Sequence, residues 1–230
     1  MTGWLLLLAA CRSGGQSPVD AAPAAAAKTT FASSEALGAH VMQSRSETTI
    51  EREGVAAATV KETMVLRWQD DDHWQLVRER EGARLSEVRV WEGHAWQADG
   101  RGPFRDRGDA EPLRAELSVH ADPWQDVLAS NADRVGYVDS GEEDIEGRKV
   151  WRYELQLLPG APGAGKSRDV LGVEGQVWID QATAVRLAGD LTVRARSRDQ
   201  IRSTHLQFSM SRIGGDAQVE PPAAAAPVAP

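Results

Sequence analysis

The chain has 230 residues, of which 41% are hydrophobic and 26% charged; this is ordinary for a globular protein that needs no metal or disulfide to hold its core. A formal net charge of −8 argues against a nucleic-acid binder and against electrostatic docking on anionic lipid. A single cysteine excludes an internal disulfide, and the length favours one domain of roughly 180 residues between two tails.

The chain opens with a short apolar run that ends at its only cysteine. Residues 4–10 are too few to cross a bilayer as a helix, which takes about 20 residues, but they suit the apolar core of a secretory signal. Leu8-Ala9-Ala10-Cys11 resembles the bacterial lipobox, in which a peptidase cleaves before the cysteine and the thiol is acylated. We predict a lipoprotein signal peptide at residues 1–10 and a lipidated Cys11; the alternative is a buried core cysteine.

Both ends of the chain have the composition of spacers. Residues 11–32 contain the predicted lipidation site and a Gly-, Ser-, Pro- and Ala-rich stretch, which predicts a flexible linker. Residues 215–230 end in PPAAAAPVAP and are predicted to be disordered, because proline denies backbone donors to helix and sheet. The folded domain is therefore predicted at residues 33–214.

Three segments between the tails have helical signals. Ser34 could cap a short helix that runs to Met42, and residues 112–119 have helical composition. The string Asp122-Pro123-Trp124-Gln125 is typical of a helix start, with Asp as the N-cap, Pro at the first position and Gln at the third. The apolar stripe of that helix consists of Trp124, Val127 and Leu128.

The rest of the domain alternates apolar and polar residues with the period of two that a half-buried strand has. One-sided alternation over so many strands predicts an antiparallel sheet with one dry and one wet face. We therefore predict an α+β fold, a strongly curved, open half-barrel of about 9–11 strands covered by about two or three helices. In one strand the dry face carries Val185, Leu187, Leu191 and Val193, and the wet face carries Arg186, Asp190, Thr192 and Arg194.

The order of these segments resembles the LolA/LolB-like family of lipoprotein carriers and receptors, with the LppX-type lipoproteins and the sigma-regulator RseB. Ile145 to Leu155 is similar to the family's Gly-x-x-x-Tyr-x-Leu strand, and Val177 to Thr183 is similar to its Leu-Trp-Ile-Asp strand and turn. The likeness spans residues 34–213. It implies an open half-barrel whose concave apolar cavity, lidded by helices, holds acyl chains or other hydrophobic molecules.

Under this resemblance the dry face lines a ligand cavity, and burial of apolar surface there gains about 25 cal/mol per Å². The alternative is that the same side chains fill a closed core, as apolar faces usually do. The candidate lining residues are Met64, Leu66, Trp68, Trp74, Leu76, Tyr153, Leu155, Leu187, Leu191, Phe208 and Met210.

The predicted function is that of a cell-envelope lipoprotein, anchored in the outer membrane and facing the periplasm, that binds or transfers a lipid or other hydrophobic ligand. Arg12, and not an aspartate, follows the predicted lipidated cysteine. In some species an aspartate at that position retains a lipoprotein in the inner membrane, so Arg12 predicts sorting to the outer membrane. The alternative is an interaction or structural lipoprotein with a filled core. The expected partners are the membrane through the lipid anchor, a lipid or acyl chain, and another envelope protein.

Several motifs in the chain are discounted. Gly160 to Ser167 matches the phosphate-binding string G-x-x-x-x-G-K-S, but the residues that follow lead into a strand where that loop needs a helix. The five histidines lack metal-ligand spacing, no serine sits in a G-x-S-x-G elbow, and the acidic clusters at 70–72 and 142–144 lack the EF-hand order. We expect no nucleotide, nucleic acid, metal, cofactor or catalytic site.

Overall fold

A single antiparallel sheet dominates the computed structural model, which describes residues 34–114, 123–128, 134–158, 169–197 and 199–223. The predicted signal peptide, Cys11, the linker to residue 32 and the string at 160–167 lie outside these residues. The strands are β1 His40–Arg52, β2 Val55–Asp70, β3 His73–Arg80, β4 Ala83–Trp91, β5 His94–Asp99, β6 Arg105–Asp109, β7 Val135–Ile145, β8 Arg148–Leu157, β9 Asp169–Asp180, β10 Arg186–Ser197 and β11 Gln200–Ser211.

The sheet consists of two meanders joined in the middle. Its 11 strands lie in the order β6-β5-β4-β3-β2-β1-β11-β10-β9-β8-β7, so neighbours are consecutive in the chain except at β1 and β11. That central pair runs from Val41 opposite Ser211 to Arg52 opposite Gln200. The sheet is not closed, because β6 and β7 lie at its two edges. The chain between Asp109 and Val135 therefore connects opposite edges of the sheet.

Both edge strands carry features that discourage pairing with another molecule. Strand β6 has the sequence Arg-Asp-Arg-Gly-Asp, and its pairing with β5 is interrupted between Ala95 and Trp96. Strand β7 has a register shift between Asp139 and Gly141 and carries the acidic run Glu142-Glu143-Asp144 just before its last residue. Charge and irregular register thus protect the two open edges of the predicted antiparallel sheet.

Helices are scarcer than predicted. Helix α1, Pro123–Leu128, confirms the predicted Pro-Trp-Gln start, and residues 110–114 form one helical turn. The helix predicted from Ser34 to Met42 is wrong: a 3-10 turn, Glu35–Leu37, ends at Gly38 (φ 68°), and β1 begins at His40. The prediction of two or three covering helices is therefore not borne out. Besides the 3-10 turn and the single turn at residues 110–114, the described residues contain one short α-helix.

The two faces of the sheet follow from the alternation along its strands. We call the face that carries α1 the inner face and the opposite one the outer face. An apolar row crosses five adjacent strands on the inner face. This inner face is the one that the sequence predicts to be dry. The row consists of Met210, Met42, Leu66, Leu76 and Val88, each opposite the next in register.

The C-terminal segment from residue 215 to 223 packs on the outer face, although the sequence predicts disorder from residue 215. Ala217 and Val219 are buried, and the Val219 amide donates to Oε1 of Gln69 at 3.5 Å. Nη1 of Arg89 donates to the Glu220 carbonyl at 3.3 Å. Proline lacks a backbone donor but leaves carbonyl acceptors, so an extended Pro-containing segment can be held by an arginine. Residues 224–230 lie outside the described part.

A buried carboxylate positions that arginine. Glu87 is 1% exposed and accepts hydrogen bonds from Gln75 at 2.6 Å and from Arg84 and Arg89 at 2.5 Å each. Burial alone would raise the pKa of Glu87, but the hydrogen bonds from Arg89 and Gln75 and the charges of Arg89 and Arg84 hold it below its ordinary value. The outer face below the C-terminal segment is therefore built on a satisfied ionic cluster.

Gly175 in β9 gives a direct test of the β9–β10 pairing. It has φ +130°, and a Cβ there would lie 2.1 Å from the backbone oxygen of Asp190. We expect Gly175→Ala to lower the free energy of unfolding by about 2 kcal/mol or more, because the strand must shift and adopt a strained φ. Gly172→Ala in the same strand, where nothing lies within 4 Å, is the control and should change stability by less than about 0.5 kcal/mol. Chemical denaturation measures both, and equal losses would contradict the proposed close approach.

Candidate functional site

The inner face contains all of the residues predicted to line a cavity. Each of the eleven is 7% exposed or less. They fall into two apolar clusters: the first is centred on β1–β5 and also includes Leu187 of β10 and Met210 of β11, and the second lies on β7–β11. Their role in lining a ligand cavity stays a prediction, whereas their shared face follows from the register.

The first cluster lies under the helical turn at residues 110–114. Ala110 and Leu113 of that turn are buried in it, and the indoles of Trp68 and Trp74 stack with ring centroids 6.3 Å apart. Arg114 lies over the Trp68 ring with its Cζ 5.3 Å from the ring centroid, a cation–π distance. The predicted lining residues in this cluster are Met64, Leu66, Trp68, Trp74, Leu76, Leu187 and Met210.

Ion pairs hold the 110–114 turn in place over the first cluster. The Arg114 guanidinium contacts Glu35 of the 3-10 turn and Oδ2 of Asp71, the latter at 3.3 Å. Burial lowers the pKa of Arg114, but the hydrogen bond and charge of Glu35 outweigh it and raise that pKa overall. The turn is thus fastened at its end by charge and at Leu113 by apolar contact.

The second cluster lies under α1. Trp124 and Leu128 of the helix are 3% and 1% exposed, and the Trp124 indole meets the Phe208 ring edge-on with centroids 6.2 Å apart. Trp124 also stacks on Tyr137 at 6.3 Å. The predicted lining residues in this cluster are Tyr153, Leu155, Leu191 and Phe208.

A buried arginine also lies under α1, where the sequence predicts the opposite face. Arg186 is 2% exposed, and its Cζ lies 5.0 Å from the centroid of the Trp124 ring. The register of β10 shifts between Arg186 and Ala188, which turns Arg186 to the same side as Leu187. The assignment of Arg186 to the wet face is therefore wrong, because strict alternation does not anticipate a bulge. Burial raises the pKa of Tyr137, although the positive charge of Arg186 and a hydrogen bond with Trp124 each act to lower it.

The inner face changes from apolar to polar along β3. Trp74 and Leu76 are buried, Arg78 is half-buried, and Arg80 is exposed. Because successive inner-face residues are two apart, these four side chains share one face. Nη2 of Arg80 lies 2.6 Å from Oε1 of Glu62 on the neighbouring strand. The adjacent strand β1 continues the polar region with Ser44 and Ser46.

His40 begins the apolar side of this face. Its side chain is fully buried, and Nδ1 lies 2.8 Å from the Gly38 carbonyl oxygen. Within the described residues Nε2 is buried without a hydrogen-bond partner. Burial lowers the pKa of His40, and the hydrogen bond to Gly38 offsets only part of that effect. The geometry fits a neutral imidazole that donates from Nδ1.

Neither a metal centre nor a membrane-spanning helix is found in the described ranges. No three His, Cys, Asp or Glu side chains there are grouped so that they could hold a metal ion. Among the same residues, no helix has both the length and the apolar character needed to span a bilayer.

Comparison with solved structures finds a lipoprotein among the similar chains. LprF from Mycobacterium bovis is 13% identical, with 90% of this chain and 99% of that chain covered and a TM-score of 0.37. The Mycobacterium tuberculosis lipoprotein LppX is 14% identical, with 87% and 99% covered and a TM-score of 0.35. A LolA superfamily protein from Nitrosomonas europaea is 8% identical, with 84% and 92% covered and a TM-score of 0.27.

These names include the LppX type and the LolA superfamily, the groups that the sequence resembles. No family model matches the chain, and no curated protein matches it.

Sequence reasoning missed three polar residues of the inner face. His40 was assigned to a helix, Arg186 to the wet face, and Arg78 was not singled out. For Arg78 a signal existed, since it follows Trp74 and Leu76 at a spacing of two in the same strand. For His40 and Arg186 no local pattern carries the information, because a strand without apolar alternation and a bulge both depend on the neighbouring strands.

Buried His40 should make stability depend on pH. The unfolded chain binds the proton near the ordinary value of 6.5, whereas the folded chain resists it. Stability is therefore fully present above 6.5 and is lost as the pH falls below it, until the folded-state pKa is reached.

We expect the free energy of unfolding to fall between about pH 8 and pH 5.5 more steeply in the native chain than in His40→Gln. Urea titrations at several pH values measure this difference. His73→Gln removes a half-buried imidazole that lies 2.7 Å from Asp70 and serves as the control. If His40→Gln left the pH dependence of the free energy of unfolding unchanged, that result would contradict its assignment to buried His40.

Proposed function

We propose that this chain is a non-catalytic, lipid-anchored envelope protein that binds an acyl lipid or a similar hydrophobic ligand against its inner face. One observation carries the proposal: two apolar clusters are laid out over an open sheet, and the described residues that cover them are one turn and one short helix. The part of this cover that α1 contributes can be displaced by a ligand that offers more apolar surface.

The free energies of burial favour displacement of α1 by an acyl chain. Full burial of Trp124 and Leu128 stabilises α1 on the sheet by about 1.5–3 kcal/mol for each side chain, hence by about 5 kcal/mol together. An acyl chain gains about 0.8 kcal/mol for each buried CH₂ group, so a dozen methylenes correspond to about 10 kcal/mol. A single chain seated in place of α1 therefore compensates for its release.

The competing function is an envelope interaction protein with a filled core, and the burial of all eleven candidate residues favours it. Such a protein would use its outer face or its tail for contact with a partner. The two functions differ in what purification without detergent should recover: native mass spectrometry shows a bound acyl lipid in the first case and only the protein mass in the second.

A substitution in the cover tests the proposal directly. We expect Leu128→Ala to lower the free energy of unfolding by about 2–5 kcal/mol and to tighten the binding of monolaurin, an uncharged acyl glycerol, because less cover must be displaced. Calorimetric titration of the full chain measures the affinity. Val219→Ala removes a buried apolar contact on the outer face and is the matched control. It should lower stability without changing the affinity, and absence of monolaurin binding in all three proteins would overturn the proposed function.

Anchoring is the second component of the proposal. We expect Cys11→Ser to move the protein from the membrane to the soluble fraction and to remove the acyl mass from its N-terminus, because only the thiol can carry the thioether-linked lipid. Ser13→Ala in the linker is the control and should fractionate like the native chain. Intact-mass analysis with cell fractionation measures both, and unchanged fractionation of Cys11→Ser would contradict lipidation at this residue.

A further inference from the structure

Arg78 differs from the other arginines that the described residues bury or half-bury. Arg89 pairs with Glu87 at 2.5 Å, Arg148 with Asp180 at 2.8 Å and Arg152 with Glu143 at 2.5 Å. Arg67 and Arg134 have neutral oxygen acceptors. Arg78 is a half-buried residue, and within the described residues its guanidinium has neither a carboxylate within 4 Å nor a hydrogen-bond acceptor. Its nitrogens are not among the buried side-chain atoms that lack a partner, so water reaches the guanidinium and an anionic group of a ligand can reach it too.

The position of Arg78 lies at the boundary between the apolar and polar parts of the inner face. On its own strand Leu76 precedes it in the apolar row. Across the sheet it is opposite Met64 on one side and Ser86 on the other. The guanidinium therefore lies beside the first cluster, where an apolar chain would end and water would begin.

The charged groups that face Arg78 leave an excess of positive charge on this part of the inner face. Arg80 is paired with Glu62, and Asp99, opposite Ser86 on β5, has Arg105 at 3.7 Å. Strand β1 contributes only Ser44 and Ser46 at these rows. In a chain of net charge −8, the region beside the apolar row is thus locally cationic.

We propose that Arg78 binds the headgroup of an acyl lipid that carries one negative charge next to its chain. This inference rests on the proposed function, since it adds a headgroup site to the same apolar face. The planar guanidinium fork matches the two oxygens of a carboxylate or phosphate, and such a bidentate ionic pair is stronger than a hydrogen bond between neutral groups. The apolar row holds the chain, and Arg78 sets which end of the lipid points to solvent.

Two lipids with the same chain and different headgroup charge test the site. Laurate is anionic at a pH well above its carboxyl pKa, and monolaurin is its uncharged glycerol ester. We expect the full native chain to bind laurate about tenfold more tightly than monolaurin, and Arg78→Gln to lose that preference while its monolaurin affinity stays the same. Arg78→Lys should recover only part of the preference, because an ammonium lacks the bidentate fork.

The matched control is Arg45→Gln. Arg45 is exposed and lies opposite Thr63 on the outer face, so this substitution removes the same charge from the other side of the sheet. It should leave the laurate preference intact; equal effects of Arg45→Gln and Arg78→Gln would mean that net charge alone acts and would overturn the headgroup site.

The outcomes separate this inference from the proposed function. Equal affinity of the native chain for laurate and monolaurin overturns the headgroup site and leaves lipid binding standing. Failure of both lipids to bind overturns the proposed function and the headgroup site with it. Thermal unfolding of Arg78→Gln without lipid verifies that the variant is folded, and monolaurin binding by it verifies that the apolar face is intact.

Discussion

The pairing of β1 with β11 is the interaction on which the rest of the molecule depends. Two meanders that are each local in the chain become one sheet only because residues 41–52 align with residues 200–211. This pairing closes a connection of about 150 residues, so its loop-closure entropy must be offset by the ladder and by the apolar rows that it brings together. Met42 opposite Met210 joins the apolar surface of one meander to that of the other, and without this contact there is no continuous inner face.

The inner face then acquires its character from two physical gradients. Across the strands, side chains of the first and second clusters provide apolar surface under two small pieces of cover. Along β3, the environment passes from the stacked indoles of Trp68 and Trp74 to Arg78 and to the exposed pair of Arg80 with Glu62. An amphiphile has the same polarity profile as this face, and this match supports a ligand with a chain and a charged end more than a wholly apolar one.

Two buried carboxylates are compensated by charges and donors inside the fold. On the outer face Glu87 collects three donors and, through Arg89, holds the extended C-terminal segment, so its charge is compensated inside the fold. Asp180 is similarly satisfied by Arg148 and Thr183. These clusters account for stability and for order in a proline-containing segment, whereas the inner-face cation Arg78 has no such compensation within the described residues.

The sequence by itself determined the class of the fold and the membership of the apolar face. A period of two in strands such as β2, β8, β10 and β11 predicted the antiparallel sheet and placed all eleven candidate residues on its inward side, because alternation is a local consequence of the strand backbone. Tertiary structure alone decided the rest. Strand β1 has polar Ser44, Ser46 and Thr48 on its inner face, so it carries no apolar alternation, and its conformation comes from the two strands that flank it. Contacts between residues distant in the chain likewise set three features that no local pattern encodes. These are the bulge that turns Arg186 inward, the packing of residues 215–223 beside Arg89, and the lack of a protein partner for Arg78 within the described residues.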